Sequence, residues 1–254
     1  MCLQPNRPSS PALIAGAAVD SDDLTLTAAD GTDFAAFIAR PESASGVGMV
    51  VLPDVRGLHR FYEELALRFA DAGINSVAFD YFGRTAGVDK RDDEFPFMEH
   101  VMKTTDQGVG EDVAASVAYL RSPEGGSCKK IFSVGFCFGG SNSWLQAAKD
   151  HGLSGAIGFY GRPGPGFTGA PAPIDQANDM SCPVLALMGG NDDGIPAEEI
   201  EKLRTALDAA PGDHEVVVYE KATHSFFDRR FDEFAGEAAD AWERCLAFVE
   251  ANSS

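Results

Sequence analysis

Residues 129–149 read KKIFSVGFCFGGSNSWLQAAK, and this stretch decides the fold. A short apolar run rich in β-formers (Ile131, Phe132, Val134) leads into Gly135-Phe136-Cys137-Phe138-Gly139-Gly140. Trp144, Leu145 and Ala148 then recur at helical spacing. Strand, tight glycine-rich turn and helix, in that order, make the setting of a nucleophile elbow, with cysteine where serine is commoner. At such a corner the side chain projects from the end of the sheet, and the flanking glycines let strand and helix approach closely. The helix begins just behind the sulfur, so its N-terminal N–H groups and partial positive charge favour a thiolate and any oxyanion formed there. The same residues also fit a plain strand-to-helix turn around an inert, buried cysteine. The rest of the chain has to discriminate between the two.

Outward from the elbow, strand-like and helical runs alternate. Residues 47–52 carry no polar side chain, as a buried parallel strand requires, with Gly48 as the weak point. They run into the loop Pro53-Asp54-Val55-Arg56-Gly57. Residues 61–72 have helical period and stop at Gly73, a fitting C-cap. Residues 74–79, 156–160, 184–188 and 215–219 read as further strands, and 111–120, 197–207 and 237–249 as helices. Residues 23–27 and 34–39 alternate around Asp30-Gly31 and predict a hairpin at a sheet edge. Residues 85–107 are polar and weakly patterned, which reads as a lid or insertion. Residues 162–177, rich in Pro and Gly, read as a loop over one end of the sheet. The alternation predicts the α/β class: a mostly parallel central sheet with helices on both faces. The expected organisation is an N-terminal tail, 1–22, and a single domain, 23–254, long enough for one sizeable core.

Composition narrows the function. The 254 residues carry 39 acidic against 20 basic side chains, a formal net charge of −19. Such a surface repels nucleic acid and anionic membranes, so neither is expected as a partner. The five cysteines (Cys2, Cys128, Cys137, Cys182, Cys245) are odd in number and lack CxxC spacing, which argues against a disulfide framework or zinc site and for a reducing, cytoplasmic location. The apolar run 12–19 is short for a signal core and is expected to pack on the domain as part of the tail. No run has the length of a transmembrane helix. No Gly-Lys-Ser/Thr follows the glycines of 135–140, so they are not a phosphate loop. The expectation is a small-molecule substrate, no metal or cofactor, and a monomer or homodimer.

In a sheet of this kind ligands bind outside the carboxyl ends of the strands. Four loops leaving those ends carry polar groups, around Asp54, Cys137, Asp192 and His224. A thiol needs a base to take its proton, and the base needs a third group to fix its tautomer. The chain order nucleophile, acid, histidine suits this topology, and Cys137, Asp192, His224 supply it, with Asp193 as the alternative acid. His59 lies in the Asp54 loop as a pocket or surface residue, and His100, His151 and His214 have no partner motif.

At these residues the chain resembles the dienelactone hydrolases (carboxymethylenebutenolidases), cysteine members of the α/β-hydrolase fold. Gly135-Phe136-Cys137-Phe138-Gly139-Gly140 is similar to the family's elbow. Met188-Gly189-Gly190-Asn191-Asp192 with Pro196 beyond is similar to its acid loop, which favours Asp192 over Asp193. His224-Ser225-Phe226 and Phe159-Tyr160-Gly161 are similar to its histidine loop and a segment beside the site. The resemblance implies a cofactor-free hydrolase of a small ester or lactone. Cys137 attacks the carbonyl, backbone N–H groups of Phe138 and Val55 hold the oxyanion, and a thioester is hydrolysed with His224 as general base and Asp192 orienting it. Asp54 and Tyr160 are the implied substrate-side residues. Other readings are a broad carboxylesterase, thioesterase or phosphotriesterase, and, from another class, a non-catalytic ligand-binding or thiol-sensing protein. The chain departs from the family pattern at two places. Asp54 stands where the family has a Glu contacting the thiol, and Asp228, followed by Arg229 and Arg230, where it has a substrate-binding Arg. Arg91 is a candidate for the family's other substrate arginine, and Arg56 and Arg162 lie on strand-end loops.

Overall fold

A computed structural model describes residues 19–92, 94–166 and 168–254. The residues flanking Asp30-Gly31 form a hairpin of β1 (Val19–Thr27) and β2 (Asp33–Pro41), antiparallel from Val19↔Pro41 to Thr27↔Asp33. Gly31 makes the turn with φ 83°, a conformation glycine adopts without steric cost. The apolar runs expected as buried strands follow: β3 (Val47–Leu52), β4 (Asn75–Phe79), β5 (Lys130–Phe136), β6 (Gly155–Phe159), β7 (Val184–Gly189) and β8 (Glu215–Tyr219). All eight join one sheet in the order β1-β2-β4-β3-β5-β6-β7-β8. β2 pairs antiparallel with β4, and every pairing from β4 to β8 is parallel.

Every residue of β3, β4, β6 and β7 is buried, so these strands are covered on both faces, as parallel strands without alternation must be. The covering helices are α1 (Arg60–Asp71), α2 (Gly83–Ala86), α3 (Phe97–Val101), α4 (Asp106–Arg121), α5 (Phe138–Ala147), α6 (Ala197–Ala209) and α7 (Ala235–Ala251). A 3-10 turn, Pro173–Asp179, lies in the Pro/Gly-rich loop. α5 seats itself on β6 by burying Trp144 completely. That ring lies where a side chain at Gly158 would sit: a methyl there would be 2.4 Å from the indole.

Most expected boundaries move by one or two residues. Two differ by more. α4 begins at Asp106 rather than 111, because Thr105 caps it by accepting the Gly108 N–H at 3.0 Å. The weakly patterned segment 85–107 takes in the end of α2 and all of α3, elements too short to show a period. Ion pairs secure its start. Arg84 holds Asp112, Asp30 and Glu111, and the buried Arg91 holds Asp80 at 3.0 Å. Residues 1–18 of the expected tail lie outside the described residues, and 19–22 belong to β1 and so to the domain. Among the described residues no helix is long and apolar enough to cross a membrane.

Candidate active site

Cys137 stands between β5 and α5 with φ 55° and ψ −112°. Non-glycine residues rarely hold a positive φ, and this one is imposed from both sides. Its N–H donates to the Phe159 carbonyl at 3.0 Å, while its carbonyl accepts from Gly140 N at 3.0 Å. Two glycines make the corner possible. A methyl at Gly135 would lie 1.9 Å from the Gly139 carbonyl oxygen, and one at Gly139 would lie 2.1 Å from the Leu52 oxygen and 2.3 Å from that of Pro53. The chain leaving β3 therefore touches the first turn of α5. Val55, two residues beyond Pro53, and Phe138 at the start of α5 both pack against the core.

His224 sits in the loop after β8. Its Nδ1 lies 2.6 Å from Asp192 Oδ2, and Asp192 Oδ1 accepts the Gly194 N–H at 2.8 Å. The Asp192 side chain is 1% exposed, whereas Asp193 points to solvent. Geometry thus joins Asp192, not Asp193, to the imidazole. The Cys137 thiol lines the same cavity as this ring. Burial works against a charge on His224, but the hydrogen bonds and charges of Asp192 and Cys137 outweigh it and raise the imidazole to about 10. Tyr160 and Ser225 beside it also have positive φ, 37° and 62°. Of the four non-glycine residues with positive φ among the described residues, three surround one imidazole, and strained backbone of this kind concentrates at functional sites.

The remaining expected residues divide. Tyr160 lies 5.0 Å, ring to ring, from His224 and lines the same cavity as Cys137. Its hydroxyl, however, donates to Asp228 at 3.0 Å. Asp54 does not meet the expectation of a contact with thiol or substrate. It is 2% exposed, does not line the cavity, and gives both oxygens to Arg56 at 2.5–3.0 Å. With one methylene fewer than Glu it turns back on its own loop, where Oδ1 also accepts the Arg56 N–H at 2.8 Å. Burial pushes its carboxyl up, but Arg56 holds it below the ordinary range. Arg91 is likewise not a substrate arginine: it is buried on Asp80 and the carbonyls of Ala86 and Gly87. Arg229 reaches Ser225 Oγ at 3.0 Å, and Arg230 pairs with Glu233. His59 caps α1, accepting the Phe61 N–H.

Sequence reasoning had not paired Arg56 with Asp228. Its Nη2 lies 3.4 Å from Asp228 Oδ2, so one guanidinium joins the loops after β3 and β8. Burial, and then the charge of Asp54, push the Asp228 carboxyl above its usual range. The arginine and the acid replacing the expected arginine were both visible in the chain; their contact needed coordinates.

Cys137 and His224 open onto a cavity of about 180 Å³. Phe138 and Leu145 wall it on the α5 side, and Pro171, Pro173 and Ile195 on the other. No cluster of three or more His, Cys, Asp or Glu suited to a metal occurs among the described residues.

Comparison with known proteins bears on the family and the fold. The model of the dienelactone hydrolase family matches residues 34–253. A Yersinia pestis protein provisionally named a carboxymethylenebutenolidase is 35% identical over 228 residues, covering 87% of this chain and 85% of its own. The carboxymethylenebutenolidase of Pseudomonas putida is 28% identical over 236 residues, 90% of this chain and 96% of that protein. Among solved structures, one from Klebsiella pneumoniae, provisionally described as a dienelactone hydrolase, superposes with a TM-score of 0.82 at 29% identity. It covers 92% of this chain and 99% of that one.

Proposed function

The chain belongs to the dienelactone hydrolase family, and from that premise we propose that it cleaves a small ester or lactone through Cys137, His224 and Asp192, with a thioester intermediate. The observation that carries the proposal is that His224, held by Asp192 at 2.6 Å, shares one cavity with the Cys137 thiol. Asp192 fixes the Nδ1–H tautomer and leaves Nε2 for the thiol. An imidazole raised to about 10 is a strong enough base for the role.

The sulfur of Cys137 attacks the carbonyl carbon; an S–C bond forms and the carbonyl electrons move to oxygen. The backbone N–H groups of Phe138 and Val55 are the donors proposed for that oxyanion. Collapse breaks the C–O bond, and the departing alkoxide takes the proton from His224. A water then gives its proton to His224 and attacks the thioester; the C–S bond breaks and the acid leaves. Tyr160 packs against the His224 ring and limits its orientations. None of these steps calls on a metal or organic cofactor.

Acid quenching during turnover of a p-nitrophenyl ester tests the proposal. An acyl mass on the peptide containing Cys137 is expected, together with loss of turnover in Cys137→Ala. Retained turnover in that variant overturns the assignment.

A further inference from the structure

The hydrolytic steps make no use of Asp228, a carboxyl in the same loop as His224 that is 2% exposed. Arg56 approaches it at 3.4 Å with a nitrogen that Asp54 already holds, and Arg229 stands at 4.0 Å. A buried carboxyl so loosely paired is costly to keep, and apolar residues of similar volume often serve stability better. Its contacts lead instead into the site.

One oxygen of Asp228 accepts the Tyr160 O–H at 3.0 Å. The Tyr160 ring lies on the His224 ring, 5.0 Å between centroids and 56° between planes. Asp192 fixes His224 at one point, Nδ1, about which an imidazole that is 33% exposed can still tilt. A ring laid against it removes that freedom if the tyrosine cannot slide, and Asp228 ties the tyrosine's far end. The other oxygen of Asp228 faces Arg56. Val55, the proposed oxyanion donor, lies between Arg56 and Asp54, and the Asp54 N–H donates to the Tyr62 hydroxyl at 2.9 Å. The loop is thus fastened on both sides of Val55.

We propose that Asp228 is a positioning residue of the hydrolytic site, holding the imidazole through Tyr160 and the oxyanion loop through Arg56. The proposal rests on the hydrolase reading above and adds to it a residue that does not line the cavity.

Steady-state hydrolysis of p-nitrophenyl acetate by Tyr160→Phe, Asp228→Ala and the double variant tests it, with rates expressed per folded molecule from near-ultraviolet circular dichroism. Each single variant is expected to lose about 10- to 100-fold in kcat with KM changed by less than about threefold, the signature of a displaced base or donor. Both act along one path, so the double variant should be slower than Asp228→Ala by no more than about threefold. Asp228→Asn keeps an oxygen for Arg56 and offers its amide to the Tyr160 oxygen, so it should recover most of the loss. Single variants with kcat within about threefold of the wild type overturn the proposal, as do losses that multiply in the double variant. An Asn variant as slow as Ala overturns it too, because the charge and not the tether would then matter. Tyr160→Phe keeps the buried ring and decides the question even where Asp228→Ala does not fold. A wild type that hydrolyses no ester is a separate result, which removes the hydrolase reading and this proposal with it.

Discussion

The Asp192 carboxylate meets the His224 imidazole at 2.6 Å, and its second oxygen is fixed by the Gly194 N–H at 2.8 Å. The acid is therefore rigid before any substrate arrives. Asp192→Asn keeps the shape but removes the charge that stabilises the imidazolium and its tautomer. We expect kcat to fall by about two to four orders of magnitude with little change in KM, measured by steady-state hydrolysis.

The raised imidazole has a consequence for stability. His224 titrates near 10 when folded against an ordinary 6.5. A pKa raised on folding stabilises the native state fully below the unfolded value, and this contribution disappears as pH rises through the folded value. The melting temperature of the wild type minus that of His224→Asn should thus be constant up to about pH 6.5 and shrink steadily toward pH 10. A difference independent of pH across that window would contradict the assignment.

Arg56 neutralises a buried acid, so Arg56→Met should cost about 3–5 kcal/mol in urea unfolding, chiefly by stranding Asp54. Adding Asp54→Asn removes the stranded charge. The double variant is expected to recover part of the loss, which a double-mutant cycle measures as a coupling between the two sites.

The corner at the thiol has no spare volume. In Gly139→Ala the new methyl meets the carbonyl oxygens of Leu52 and Pro53 at 2.1 and 2.3 Å. Overpacking against backbone should destabilise by at least about 1–3 kcal/mol, seen in thermal unfolding, and any folded fraction should show reduced turnover because the elbow has shifted.

Thiol reactivity should also be uneven. Cys128, Cys182 and Cys245 are 3%, 6% and 1% exposed, and burial pushes their thiols up, that of Cys182 to about 12. Of these three and Cys137, native iodoacetamide should alkylate Cys137 alone. Peptide mapping after brief exposure reads this directly.

Much of this was legible in the chain. Gly135 and Gly139 flank Cys137 where a side chain would keep strand and helix apart, and 47–52 is apolar throughout because both sides of β3 are covered. Local pattern carries such features. It does not carry partnerships between distant loops. Nothing in the sequence says that Arg56 and Asp228 meet, and the Asp54 loop reads the same whether its acid faces the sulfur or turns back. Segment 85–107 failed for a different reason. α2 and α3 have four and five residues, too few turns for a period to repeat, and tertiary ion pairs hold their surroundings.

The outer wall of the cavity, around Pro171 and Pro173, belongs to a connection between β6 and β7 that supplies neither the sulfur nor the imidazole nor its acid. Exchanging that connection between relatives would alter diet without disturbing the reaction. The arrangement leaves natural selection one region to vary freely and another to keep, and homologues with different appetites should differ first in this stretch.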